Sequence, residues 1–87
     1  GFAEYILINE ITVKYGPFHK IPDNLSFDEA SLAEPLACCL NGYELANLRV
    51  SGTVVVVGAG PIGLMLIELA RNMGASKIIL SQRSKER

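Results

Sequence analysis

The chain has little of what most kinds of site are built from. It holds one histidine, His19, and two cysteines, Cys38 and Cys39. No second histidine or nearby Cys/Asp set gives His19 the spacing of a metal-ligand cluster, so it reads as a partly exposed polar residue. The cysteines are adjacent, which makes them neither a C-x-x-C motif nor a disulfide framework. Helical neighbours point about 100° apart, and a bond between them would be badly strained. They read as reduced, partly buried thiols acting as small hydrophobes, which fits a cytoplasmic protein. The net charge is only −1, so nothing argues for nucleic acid or an anionic membrane as partner. Internal repeats and low-complexity stretches are lacking, and no signal peptide is expected. The apolar runs at residues 54–57 and 78–80 are of strand length, far short of a bilayer span.

What the chain does have is concentrated in one run, Thr53-Val54-Val55-Val56-Val57-Gly58-Ala59-Gly60-Pro61-Ile62-Gly63-Leu64. Four valines in succession suit a parallel strand buried on both faces. Gly58, Gly60 and Gly63 then spell G-x-G-x-x-G, and an apolar helical pattern follows at once. Strand, glycine turn and helix in that order form a dinucleotide-binding fingerprint. Gly58 permits the tight turn, Gly60 lets the backbone approach a pyrophosphate, and Gly63 lets the helix pack on the strand. Pro61 fits the first helical position. The free N–H groups of Ile62 and Gly63 would face the phosphates, assisted by the helix dipole. A glycine-rich turn with no ligand is the bland alternative.

The rest of the chain reads around this motif. Residues 3–8, Ala3-Glu4-Tyr5-Ile6-Leu7-Ile8, read as a strand, and Tyr15-Gly16-Pro17 as a turn. Ser26-Phe27-Asp28-Glu29 is a capping box opening a short helix. Glu34-Pro35 begins another helix with Pro35 at its first position, Leu36, Leu40 and Tyr43 on its core face, and an end near Asn47. Arg49-Val50-Ser51-Gly52 turns into the valine strand. The helix at residues 61–73 has so few polar residues that it should be buried on most of its circumference. Gly74 gives a left-handed stop. Lys77-Ile78-Ile79-Leu80 forms a second strand parallel to the first, and at least one strand edge is expected to be open.

In a dinucleotide fold the end of the second strand selects the cofactor. An acid there bonds the ribose 2′-OH of NAD, whereas a nearby Arg accommodates the 2′-phosphate of NADP. Here the position is Gln82, followed by Arg83 and, four residues on, Arg87. The acid that would repel a phosphate is missing and two guanidinium groups could grip one, so NADP is favoured, with NAD possible. The charge is also uneven. Residues 71–87 carry five bases against one acid, and residues 1–34 carry six acids against two bases.

At this point the chain resembles a family. Gly1-Phe2-Ala3-Glu4-Tyr5, Ile21-Pro22-Asp23-Asn24-Leu25-Ser26-Phe27, Glu34-Pro35-Leu36-Ala37-Cys38 and Val57-Gly58-Ala59-Gly60-Pro61-Ile62-Gly63 are similar, in order and spacing, to blocks of the medium-chain dehydrogenases. The likeness is to the zinc-dependent polyol branch that includes sorbitol dehydrogenases. The resemblance implies an α/β class: the first βαβ of a Rossmann dinucleotide-binding domain (residues 51–87), preceded by connecting helices (28–50) and the end of a β-rich, GroES-like catalytic-domain segment (1–27). It implies a fragment of a longer oxidoreductase that passes hydride between a polyol or secondary alcohol and a nicotinamide. Such an enzyme is expected to be a homo-oligomer. The resemblance also places Glu34 at the active-site zinc, whose other ligands would lie outside this chain. Without the resemblance, Glu34 is simply an acid favoured at a helix N-terminus. The Lys14-Tyr15-Gly16-Pro17-Phe18 stretch looks longer than usual for the family.

Two other classes compete. Gly58-Ala59-Gly60-Pro61 also opens FAD domains of flavoproteins, although those usually carry the motif near the chain start and an acid at the position of Gln82. The piece by itself could be a non-catalytic folding module.

Overall fold

The computed structural model describes residues 3–83. Its elements run, in chain order, α1 (Glu10–Tyr15), α2 (Phe27–Ala30), α3 (Ala33–Leu45), β1 (Thr53–Val57), α4 (Pro61–Asn72) and β2 (Lys77–Ser81). This is a small α/β arrangement. No helix among the described residues is long and apolar enough to cross a membrane.

The core lies in the second half of the chain. β1 and β2 pair in parallel, with Val54 opposite Ile78 and Val56 opposite Leu80. Because side chains alternate across a strand, Val54 and Val56 share one face, and α4 covers it. Val54, Val56, Tyr43 and Ala70 are buried there, packed by Leu66, Ile67, Leu69, Met73 and Ile78. The crossover needs sharp backbone turns at both ends. Gly74 stops α4 at φ +84°, in the left-handed region glycine enters without penalty. Its carbonyl accepts the Ser51 N–H at 2.7 Å. The Ser76 hydroxyl donates to the Ser51 carbonyl at 2.7 Å, pinning the start of β1 to the start of β2.

The valine strand departs from the expectation of burial on both faces. Val55 is 59% and Val57 83% exposed, since α4 covers only one side of the sheet among the described residues. For the same reason α4 is not buried around most of its circumference: Gly63 and Ala70 are buried, while Ile62 and Leu64 are about half-exposed. Among the described residues both strands keep one edge unpaired in this two-stranded sheet.

The first half is looser. Residues 3–8 are not a strand, because no other strand in the described residues pairs with them, and a strand exists only through its ladder. Instead Asn9 caps α1, its side-chain oxygen accepting the Thr12 N–H at 2.8 Å. The capping box forms as read: Glu29 N–H donates to the Ser26 hydroxyl oxygen at 3.2 Å, and Ser26 N–H to the Glu29 carboxylate at 2.8 Å. Neither α1 nor α2 buries a residue. His19 is exposed. The radius of gyration, 16.7 Å, exceeds the roughly 12 Å of a compact chain this long, as an extended N-terminal half requires.

α3 begins at Ala33, so Pro35 is its third residue and not its first. The first bond into the helix is Leu36 N–H to the Leu32 carbonyl at 3.0 Å, and the donor that proline lacks has no intrahelical acceptor anyway. The buried face is Cys39 and Tyr43, whereas Leu36 and Leu40 are each about 40% exposed. The two cysteines therefore differ: Cys39 is buried and Cys38 exposed.

Candidate functional site: the glycine turn

β1 ends where the backbone must reverse into α4. Gly58 does this at φ +108°, a conformation that a side chain would strain. Its N–H still extends the ladder, donating to the Ser81 carbonyl at 2.8 Å. Gly63, one turn into α4, lies against this reversal. A Cβ there would run into the Gly58 carbonyl oxygen and sit 3.5 Å from Val56 Cγ1, so only glycine lets the helix lie this close to the strand. Gly60, by contrast, faces open space, with nothing within 4 Å of the position a Cβ would take. Pro61 is the first residue of α4 and Gly60 its cap. The Leu64 N–H is the first to find a helical acceptor, the Gly60 carbonyl at 3.0 Å. The Ile62 and Gly63 N–H groups precede it and have no intrahelical acceptor. Two free donors, an unobstructed glycine and the positive end of a twelve-residue helix make a cradle that fits a pyrophosphate.

Gln82 is brought to this turn from the end of β2. Its Oε1 accepts the Ala59 N–H at 3.0 Å, in a half-buried position. Arg83 follows and is exposed; Arg87 lies outside the described residues. A cleft of about 420 Å³ runs alongside, lined by Val54, Val56, Gly60, Ile62, Leu66 and Tyr43 among others, within the size range of ligand sites. A second hollow, about 510 Å³, lies among Pro17, Lys20, Pro22, Leu25 and Phe27 and shares no lining residue with the first.

α3 braces α4 behind the turn. The Tyr43 hydroxyl donates to the Leu66 carbonyl at 2.8 Å, and burial pushes its phenol above the usual range. The Cys39 thiol points at the Ile62 carbonyl at 3.9 Å. Sequence periodicity marks Tyr43 as apolar packing and gives no hint of either carbonyl. Ala59 has no distinguishing side chain, so its N–H enters the site without a sequence signal beyond its place between the glycines.

Glu34 sits in the first turn of α3, and its carboxylate accepts the Cys38 thiol at 3.2 Å. That bond, and then the carboxylate charge, raise the Cys38 pKa. Among the described residues no hydrogen bond joins Glu34 to the glycine turn, and no three His, Cys, Asp or Glu side chains converge to hold a metal. Residues 3–83 do not by themselves fit a zinc ion, which needs at least three protein ligands.

Comparison with known proteins bears on the sequence as a whole. The chain is 38% identical over 80 residues to the D-arabitol-phosphate dehydrogenase of Enterococcus avium, covering 91% of this chain and 21% of that protein. It is 43% identical to the sorbitol dehydrogenase of Bombyx mori, covering 72% of this chain and 18% of that protein. Against the (R,R)-butanediol dehydrogenase of Bacillus subtilis it is 36% identical across its whole length, or 24% of that protein. The chain thus spans about a fifth of the length of the curated relatives it matches. No protein-family profile and no solved structure matches it. Aligned over most or all of its length with alcohol and polyol dehydrogenases, the chain belongs to the alcohol and polyol dehydrogenase branch of the medium-chain dehydrogenase family.

Proposed function

We propose that this chain supplies the phosphate-binding turn of a nicotinamide-dinucleotide domain, in an oxidoreductase that moves hydride between a secondary alcohol or polyol and NADP(H). The observation that carries the reading is the cradle itself. Gly58 and Gly63 are required by backbone conformation and close approach, yet Gly60 opens onto free space beside two unpaired helix N–H groups. A turn built only for packing has no use for that opening. The nicotinamide, when bound, supplies the hydride acceptor or donor; Gly60, Ile62 and Gly63 would hold the pyrophosphate. The names of the relatives support an alcohol or polyol as substrate.

The preference for NADP rests on Gln82 standing where an acid would select NAD, with Arg83 beside it and Arg87 beyond. Residues 51–87 are assigned to the cofactor domain, 28–50 to connecting helices and 1–27 to the end of a catalytic-domain segment. Glu34 is assigned to a metal site whose other ligands come from outside residues 3–83, in a homo-oligomeric, cytoplasmic enzyme. Steady-state kinetics of the intact protein with both cofactors tests the cofactor assignment. A higher kcat/KM with NADPH is expected, and Arg83→Ala should cost it about 1.5–3 kcal/mol, as for one charge-assisted bond. A higher kcat/KM with NADH, or no loss in Arg83→Ala, overturns it.

A further inference from the structure

Two side chains of α3 hold α4 at consecutive turns. The Cys39 thiol reaches the Ile62 carbonyl at 3.9 Å, and the Tyr43 hydroxyl donates to the Leu66 carbonyl at 2.8 Å. The two donors are four residues apart on α3 and the two acceptors four apart on α4, one helical turn in each case. A carbonyl already engaged within its own helix keeps a second lone pair for such a donor. The Tyr43 phenol is pushed up first by burial, so it stays protonated and able to donate. A single contact would leave α4 free to roll about it, whereas two contacts a turn apart fix both its roll and its height. Ile62 also precedes Gly63, so its carbonyl and the Gly63 N–H belong to one planar trans peptide and point in opposite directions. The thiol therefore meets one end of a group whose other end is a donor without an intrahelical acceptor, at the glycine turn. A bond to that carbonyl also polarises the N–H into a stronger donor.

We infer that Cys39 and Tyr43 are positioning residues that clamp α4 to α3 and thereby aim and strengthen the Gly63 N–H as a donor to a ligand phosphate. The inference rests on the dinucleotide reading above and deepens it, because it gives side chains outside the glycine motif a part in setting the cradle. Both act through the backbone of α4. Tyr43, Ile62, Gly63 and Leu66 all line the cleft beside the turn, so the clamp stands against the space that a ligand would enter. Alanine and phenylalanine at positions 39 and 43 would still pack against α4 as apolar surface, but without the directional hold.

The intact protein and its Cys39→Ala and Tyr43→Phe variants separate this role from simple packing. Amide hydrogen exchange, resolved to single residues, reads the clamp without any nucleotide. The Leu64 N–H, bonded to the Gly60 carbonyl at 3.0 Å, reports on the start of α4, and the Met73 N–H, bonded to the Leu69 carbonyl at 2.8 Å, reports on its end. Exchange at Leu64 relative to Met73 should accelerate roughly two- to tenfold in each variant, as for loss of one hydrogen bond. Equal acceleration at both amides, or none at either, overturns the clamp. Titration with ADP-ribose and 5′-AMP reads the cradle, since only the first carries a pyrophosphate. The affinity ratio favouring ADP-ribose should fall roughly two- to tenfold in each variant, and an unchanged ratio overturns the aiming role. If Tyr43→Phe does not fold, Cys39→Ala, which removes a single sulfur atom, carries both readouts. Failure of the parent protein to bind either nucleotide sinks the dinucleotide reading and the aiming role with it, and the exchange comparison still decides the clamp.

Discussion

Replacing Gly63 by alanine asks whether close approach of helix and strand is what the motif is for. The added Cβ would collide with the Gly58 carbonyl oxygen, lie 3.0 Å from its carbonyl carbon, and touch Val56. A flexible side chain could yield, but Gly58 cannot. It is fixed at φ +108° and held by its own N–H bond to Ser81 at 2.8 Å. Overpacking costs about 1–3 kcal/mol, and a backbone obstacle puts this case near 3. Alanine favours a helix over glycine by about 1 kcal/mol, which leaves a net loss of about 2 kcal/mol. Gly42 is the internal control. It lies inside α3 with nothing within 4 Å of its would-be Cβ, so Gly42→Ala should stabilise by about 0.5–1 kcal/mol. Urea denaturation of the intact protein measures both, and a dinucleotide titration alongside should show weaker binding only in Gly63→Ala. Equal stability of Gly63→Ala and its parent would refute the packing argument, as would a destabilised Gly42→Ala.

Three further outcomes are expected. Cys38 donates to Glu34 and lies beside its charge, so its thiolate is disfavoured; Glu34→Gln should therefore speed iodoacetamide alkylation of Cys38 at mildly alkaline pH, while buried Cys39 stays slow in both proteins, as peptide mapping will show. Glu29 is held below its usual pKa, first by the Ser26 N–H and then by the Ser26 hydroxyl. A depressed carboxyl adds stability above its unfolded pKa and loses it as pH falls through the folded one, so α2 should fray on acidification below the ordinary carboxylate range, and Ser26→Ala should blunt that dependence in pH-resolved hydrogen exchange. Tyr43→Phe removes a part-buried bond to the Leu66 carbonyl; a loss of about 0.5–1.5 kcal/mol is expected in denaturation, with no change as the refuting result.

The features legible in the sequence are those a few neighbouring residues decide. The glycine turn is one, because Gly58 and Gly63 are demanded by backbone torsion and a collision five residues apart. The capping box is another, since Ser26 and Glu29 meet whatever the rest of the chain does. Residues 3–8 read as a strand because their side chains suit one, but pairing is a property of two segments, and nothing described here pairs with them. The valine run misleads about its second face for a related reason: apolarity records what a surface is able to contact, and Val55 and Val57 contact little. Cys38 and Cys39 are indistinguishable in sequence; only the rotation of α3 against α4 decides that Cys39 goes inward. Gln82 is legible as the residue that ends the second strand, yet its bond to Ala59 depends on the register between β1 and β2. The α1 helix carried a signal in Asn9 that the turn residues Tyr15-Gly16-Pro17 outweigh on reading.

That register gives the turn a role in quality control during folding. Val57 lies opposite Ser81, and the bond from Gly58 to Ser81 brings Gln82 level with Ala59. If β2 slid by one residue, either Ser81 or Arg83 would take that place. Serine is too short to reach across as glutamine does, and arginine has no acceptor to offer. The same slip would turn Ile78 away from the core. A mispaired sheet is thus penalised twice, at its centre by an apolar side chain facing water and at its end by an orphaned amide. The turn that follows β1 thus doubles as a proofreader of the sheet behind it.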